Sequence, residues 1–162
     1  MGYPMQPAQV PGGGVFNVRG FDTTAAQTFL RGAVLIFAAG KVSEAATGAT
    51  TGIVGVALQA AFTGPGNSMA NSPATITWQE TQTSAAIADS VTVFEATFVN
   101  GSTTRIAPAV TDIGVSYGIS KYTDWAIDKS LTAAAAAVKV VGIDTMRNLV
   151  FFKFLAAAIV GV

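Results

Sequence analysis

The chain has 162 residues, with nine basic and nine acidic side chains and neither histidine nor cysteine. Those absences remove the side chain that titrates near neutrality, the readiest thiolate nucleophile and any disulfide framework. The charged share is 11% against ~25% in ordinary domains, so neighbouring subunits are expected to cover part of the surface.

At 16.5 kDa the chain suits one domain. The charges are scattered without a basic run, which leaves nucleic-acid binding without an electrostatic footprint. The composition favours a structural or binding protein over an enzyme, and no cofactor, metal or catalytic residue is expected.

Residues 1–20 read as an extended arm, with residues 21–162 as a single β-rich domain. Pro4, Pro7 and Pro11, followed by Gly12, Gly13 and Gly14, oppose regular helix and sheet. Tyr3, Met5 and Val10 are apolar decorations on that arm, and with Phe16 they are expected to contact a partner. The N-terminus lacks the basic and apolar regions of a secretion signal, and Gln6 breaks the myristoylation pattern, so a soluble chain without a leader is expected.

Beyond Val15 the apolar pattern turns to period two. Residues 23–31, behind Asp22 as a cap, are one of two places suited to helical turns. Gly64, Pro65, Gly66 and Asn67 mark a loop, and Ser72 and Pro73 precede an alternating strand over residues 74–79 that turns Ile76 and Trp78 inward. Residues 91–99 put Phe94, Ala96 and Phe98 on one face and Glu95 and Thr97 on the other. Asn100 and Gly101 then supply a tight turn at positive φ.

Asp124 and Asp128 flank Trp125, but spacing four along a strand separates their Cα atoms by about 13 Å. They are expected to cap turns around a buried or half-buried Trp125 and not to act as a glycosidase pair. The alanine run over residues 133–137 is the second place suited to helical turns. It is short, uncapped and set between strands, so a turn or loop is expected.

The last strand-like segment, residues 149–155, is apolar on both faces. Phe152 and Phe154 share one side, while Leu149, Phe151 and Leu155 share the other, interrupted by Lys153. Such a strand needs cover on both sides, either as the centre of a sandwich or from another subunit. The partner surface is therefore expected at Phe151, Phe152, Phe154 and Leu155, strengthened by the apolar tail behind them. The 14 residues from 149 to 162 fall short of the ~20 that span a bilayer, so no membrane is expected as a partner.

A weak internal echo runs through the chain. Residues 32–37 lead through a polar turn to Ile53, Val54, Gly55 and Val56; residues 114–119 lead through another to Val140, Val141, Gly142 and Ile143. A match this short arises by chance as readily as by duplication. If it is a duplication, the domain is a small barrel or sandwich built from two similar halves. Either way the fold class is all-β, a small β-sandwich or β-barrel with an extended N-terminal arm.

Three pieces of the first unit carry a resemblance: Arg31 through Phe37, then Gly40, Lys41 and Val42, then Gly52 through Leu58. This opening resembles that of capsid decoration (cement) proteins of tailed bacteriophages over about residues 29–61, and residues 114–155 show a general likeness. The resemblance implies a β-rich module on the outer surface of the icosahedral head. There it would bridge and stabilise major capsid protein subunits, as a homodimer or homotrimer. Tail-tube, head-completion and fibre proteins, or a β-sandwich binding module, fit the same physical description. On this reading, deleting residues 1–14 leaves the fold intact and weakens attachment.

Overall fold

A computed structural model describes residues 3–10, 13–24, 26–61 and 82–161. The expected loop at residues 64–67 and the strand with Trp78 lie outside the described residues. Among the described residues, twelve strands follow in order: β1 (Gln6–Gln9), β2 (Val18–Asp22), β3 (Val34–Ala38), β4 (Lys41–Glu44), β5 (Ile53–Ala57), β6 (Gln82–Ile87), β7 (Val93–Asn100), β8 (Thr104–Arg105), β9 (Ser116–Lys121), β10 (Trp125–Asp128), β11 (Val138–Asp144) and β12 (Leu149–Phe154). The fold is nearly all β, as the period-two patterning and the β-branched and aromatic content require.

The later strands close on themselves. β7 pairs antiparallel with β12, β12 with β11, β11 with β9 and β9 with β10; β10 then returns parallel to β7. The earlier strands repeat this scheme: β2 pairs with β6, β6 with β5, β5 with β3 and β3 with β4, all antiparallel. A parallel bridge from Thr23, just after β2, to Val42 of β4 closes that ring. Each half is a barrel-like ring of five strands with the same connectivity. Closure removes most of the unpaired edge that an open sheet would expose.

The correspondence extends to individual residues. Gly32 N–H donates to Ala57 O at 2.8 Å and Ala57 N–H to Ala33 O at 2.8 Å, while Gly114 N–H donates to Val140 O at 2.8 Å and Val140 N–H to Val115 O at 3.0 Å. Gly32 and Gly114 both have φ +88°, a left-handed turn that favours glycine. Ala88 N–H to Val54 O matches Leu155 N–H to Ala137 O, both at 2.9 Å. On this register Ala57 corresponds to Val140 and Gly55 to Val138. The two Val-Gly pairs of the sequence echo are therefore displaced by four residues, although they mark corresponding strands. Their glycines serve different ends: a Cβ on Gly55 would lie 2.0 Å from Ala86 O, whereas Gly142 follows a bulge at Val141.

The buried side chains form one continuous core through both halves. In the second ring Phe94, Phe152 and Phe154 pack with ring centroids 5.2–6.0 Å apart, and Phe98 packs on Tyr117 at 5.5 Å. These contacts are edge-to-face, tilted or stacked aromatic geometries of the kind that add to simple burial. In the first ring Ala85, Arg19 and Thr23 stand where the second has Phe152, Phe94 and Phe98. The strand scheme is shared, but the filling differs.

Three local expectations met different outcomes. Among the described residues, 23–31 contain no helix; Thr23 is in the bridge to Val42, and Ala26 turns the chain at φ 60°. That correction has a tertiary cause, because ring closure takes the segment. The alanine run holds a single 3-10 turn, Ala133–Ala135, as a turn was expected. Gly101 and Ser102 take positive φ in the hairpin between β7 and β8, as the Asn-Gly signal predicted.

Candidate partner-binding surface

The arm is extended, but residues 6–9 of it are a strand of the domain's own sheet. β1 pairs antiparallel with β7, placing Gln6 opposite Glu95, Pro7 opposite Phe94 and Gln9 opposite Val93. Proline is tolerated there because β1 is an outermost strand whose free side needs no donor. Tyr3 Oη donates to Glu95 Oε1 at 2.5 Å, and Gln6 Nε2 donates to the same oxygen at 2.7 Å. The hydrogen bond to Glu95, followed by burial and the carboxylate's charge, raises the Tyr3 pKa above its ordinary value. On the other side the arm touches the first ring, since a Cβ on Gly32 would meet Pro4 Cβ at 2.9 Å and the Met5 backbone at 3.0 Å.

Several residues expected at a partner interface are instead packed against their own chain. Met5 is 1% exposed within the core, fixed between the Gly32 turn and β7. Phe152 and Phe154 are 0% and 3% exposed and belong to the aromatic cluster of the second ring. These three are corrected to core positions. Phe16 and Leu155 are half-buried and pack against the core, and Val10 is half-buried in the segment leading to Gly13. The apolar tail is also covered: Ile53 N–H donates to Ala158 O and Val160 N–H to Ile53 O, both at 2.9 Å.

Phe151 is the predicted residue that remains at an accessible apolar surface. It stands opposite Glu95 on β7 and Gly142 on β11. Its half-buried ring, with Ala8, Gln9, Val93, Val141 and Gly142, lines a shallow cleft across β1, β7, β11 and β12. The cleft contains no ionisable side chain. The bulge turns Val141 outward beside it, and Val115, bonded to Val140, continues toward exposed Ile113 and Val110. This surface can bury apolar groups of a partner, and it presents neither acid nor base. Val141 and Gly142 were missed as contact residues, although a glycine inside a strand is the usual signal of a bulge.

Among the described residues, the buried carboxylates Glu95, Asp112 and Asp128 all have hydrogen-bond partners within the chain. Asp128 accepts from Gly101 N–H at 2.9 Å, Ser102 Oγ at 3.0 Å, Ser130 N–H at 2.9 Å and Ser130 Oγ at 2.7 Å. Burial pushes its pKa up, but these donors outweigh burial and hold it below the ordinary value. Asp128 thus fastens turns beside buried Trp125. Asp112 accepts from Ala109 N–H at 2.8 Å, Tyr117 Oη at 2.8 Å and Lys129 Nζ at 2.9 Å, and its pKa is likewise held down against burial. Glu44 joins the halves, accepting from Trp125 Nε1 at 2.9 Å and pairing with Lys121 Nζ at 2.7 Å.

Among the described residues, no cluster of three or more His, Cys, Asp and Glu is placed to hold a metal ion, and no helix is long and apolar enough to cross a membrane. Comparison with protein-family models and with curated protein sequences finds no match.

Proposed function

We propose that this chain is a non-enzymatic structural protein of a tailed-bacteriophage virion, bound to the outside of the icosahedral head and stabilising it by bridging major capsid protein subunits. The reading rests on the resemblance of residues 29–61 to capsid decoration proteins. The segment that carries it spans β3, β4 and β5. Support comes from the charge-free cleft around Phe151 and from the duplication: two rings of one connectivity offer related faces within one chain, as bridging of repeated subunits requires. In this reading homodimers or homotrimers form on the shell, with neither nucleic acid nor membrane as a partner.

Immunogold electron microscopy of particles from the source lysate tests the placement. Dense label over the heads is expected. Sparse label at the neck or tail would move the protein to a tail or head-completion role, and unlabelled particles would end the virion reading.

A further inference from the structure

The hairpin between β7 and β8 carries a dipeptide with chemistry of its own. Asn100 is followed by Gly101, the only asparagine–glycine pair in the sequence. Asn100 ends β7 and stands opposite Thr104 of β8. Glycine has no Cβ, so the Gly101 nitrogen can approach the side-chain carbonyl carbon of Asn100 without hindrance. Both residues are exposed, and a Cβ on Gly101 would meet nothing within 4 Å, which leaves room for a five-membered ring. In that reaction the Gly101 nitrogen gives up its proton and bonds to Asn100 Cγ. The bond from Cγ to the side-chain nitrogen breaks, and ammonia leaves with the proton. Water then opens the succinimide at either carbonyl, giving aspartate or isoaspartate; one water is consumed for each ammonia released.

Asp128 opposes that reaction. Its Oδ1 accepts the Gly101 N–H at 2.9 Å, and its Oδ2 accepts Ser102 Oγ at 3.0 Å. The carboxylate is 1% exposed, and β10 holds it opposite Val99 on β7. The proton that must leave is therefore engaged, and the nitrogen that must turn toward Asn100 is tied to a buried anchor. We propose that Asn100 is a site of spontaneous deamidation and that Asp128 is the positioning residue that sets its rate. Isoaspartate would add one carbon to the main chain between β7 and β8. That shift withdraws Gly101 and Ser102 from Asp128 and leaves the buried carboxylate with Ser130 as its donor. The hairpin thus sets a chemical limit on the lifetime of the folded chain. The inference stands on local geometry and does not depend on the virion reading.

The test is the rate of amide-to-acid conversion at Asn100 in the purified chain under mildly alkaline conditions, followed by peptide mapping with mass spectrometry. Wild type should react at least about tenfold more slowly than a capped peptide of residues 98–103, the factor that a hydrogen bond to a charged group carries in an equilibrium. Asp128→Asn keeps an oxygen acceptor without the charge and should speed the reaction severalfold; Asp128→Ala should speed it further. If Asp128→Ala does not fold, Asp128→Asn carries the comparison. Met5→Ala, destabilised at the other end of β7, should react at the wild-type rate. A folded chain that reacts as fast as the peptide overturns the proposal. Equal rates in wild type and Asp128→Asn overturn it as well. Acceleration in Met5→Ala equal to that in Asp128→Asn means the reaction passes through general unfolding, with the same consequence.

Discussion

Tyr3 and Glu95, 92 residues apart, are joined by a 2.5 Å hydrogen bond that fastens the N-terminal arm to the second ring. With Met5 against the Gly32 turn of the first ring, the arm ties the two halves together. Its first function is internal, and that changes what its removal should do.

Met5→Ala should lower stability by about 2–5 kcal/mol, the range for truncating a buried large aliphatic side chain. Tyr3→Phe should cost about 1 kcal/mol, since it removes one donor to a carboxylate that keeps Gln6 as a partner. Deleting residues 1–9 should cost more than either. Urea unfolding of the three variants checks the order, and a deletion as stable as wild type would return the arm to the role of a free tether.

The two outward-looking phenylalanines of the sequence should separate sharply. Phe152→Asp places a charge among Phe94, Phe154 and the rest of the second ring, and should abolish cooperative unfolding. Phe151→Ala should cost only about 1–2 kcal/mol because its ring is half exposed. Circular dichroism melts distinguish them, and a folded Phe152→Asp chain of reduced oligomeric mass would restore the interface reading.

Much of this was legible. Period-two patterning marked β7, the run apolar on both faces marked β12, Asn100 and Gly101 marked the hairpin turn, and the echo picked out β3, β5, β9 and β11 as related. What escaped was decided by distant chain. Glu95 and Thr97 are buried, although alternation put them on the polar face: the arm covers Glu95, while β10 and β12 flank Thr97. The echo misplaced the register because equivalent positions hold Ala85 and Phe152, or Arg19 and Phe94. Backbone pairing preserved what side-chain identity did not. Phe152 and Phe154 read as interface because the sequence does not reveal that the second ring closes around them.

The Asp112–Tyr117 pair should shape stability at both ends of the pH scale. Burial, then the hydrogen bond and charge of Asp112, pushes the Tyr117 hydroxyl up to about 12 from an ordinary 10.0. A raised folded value contributes stability that is full below pH 10 and is lost as pH rises toward 12. Asp112 is shifted downward, so its contribution is full above its ordinary 3.8 and is lost as pH falls through the lower folded value. Denaturation midpoints across pH 9–12 should fall more steeply for wild type than for Tyr117→Phe. Equal slopes would contradict the pairing.

Thr97→Val should stabilise the fold by about 1 kcal/mol. The Thr97 hydroxyl is buried without a hydrogen-bond partner, and its cross-strand neighbours Leu149 and Ala126 are apolar. Replacing an unsatisfied hydroxyl with a methyl group of the same shape removes a desolvation cost. A raised melting temperature is the expected result, and a lowered one would mean that the hydroxyl has a partner in solution.

The central claim, a head-decorating role, is tested most directly by the copy number of this chain in purified particles, measured against the major capsid protein by quantitative mass spectrometry. Abundance approaching that of the shell subunit is the predicted result. A few copies per particle, at the level of neck or tail components, would contradict it.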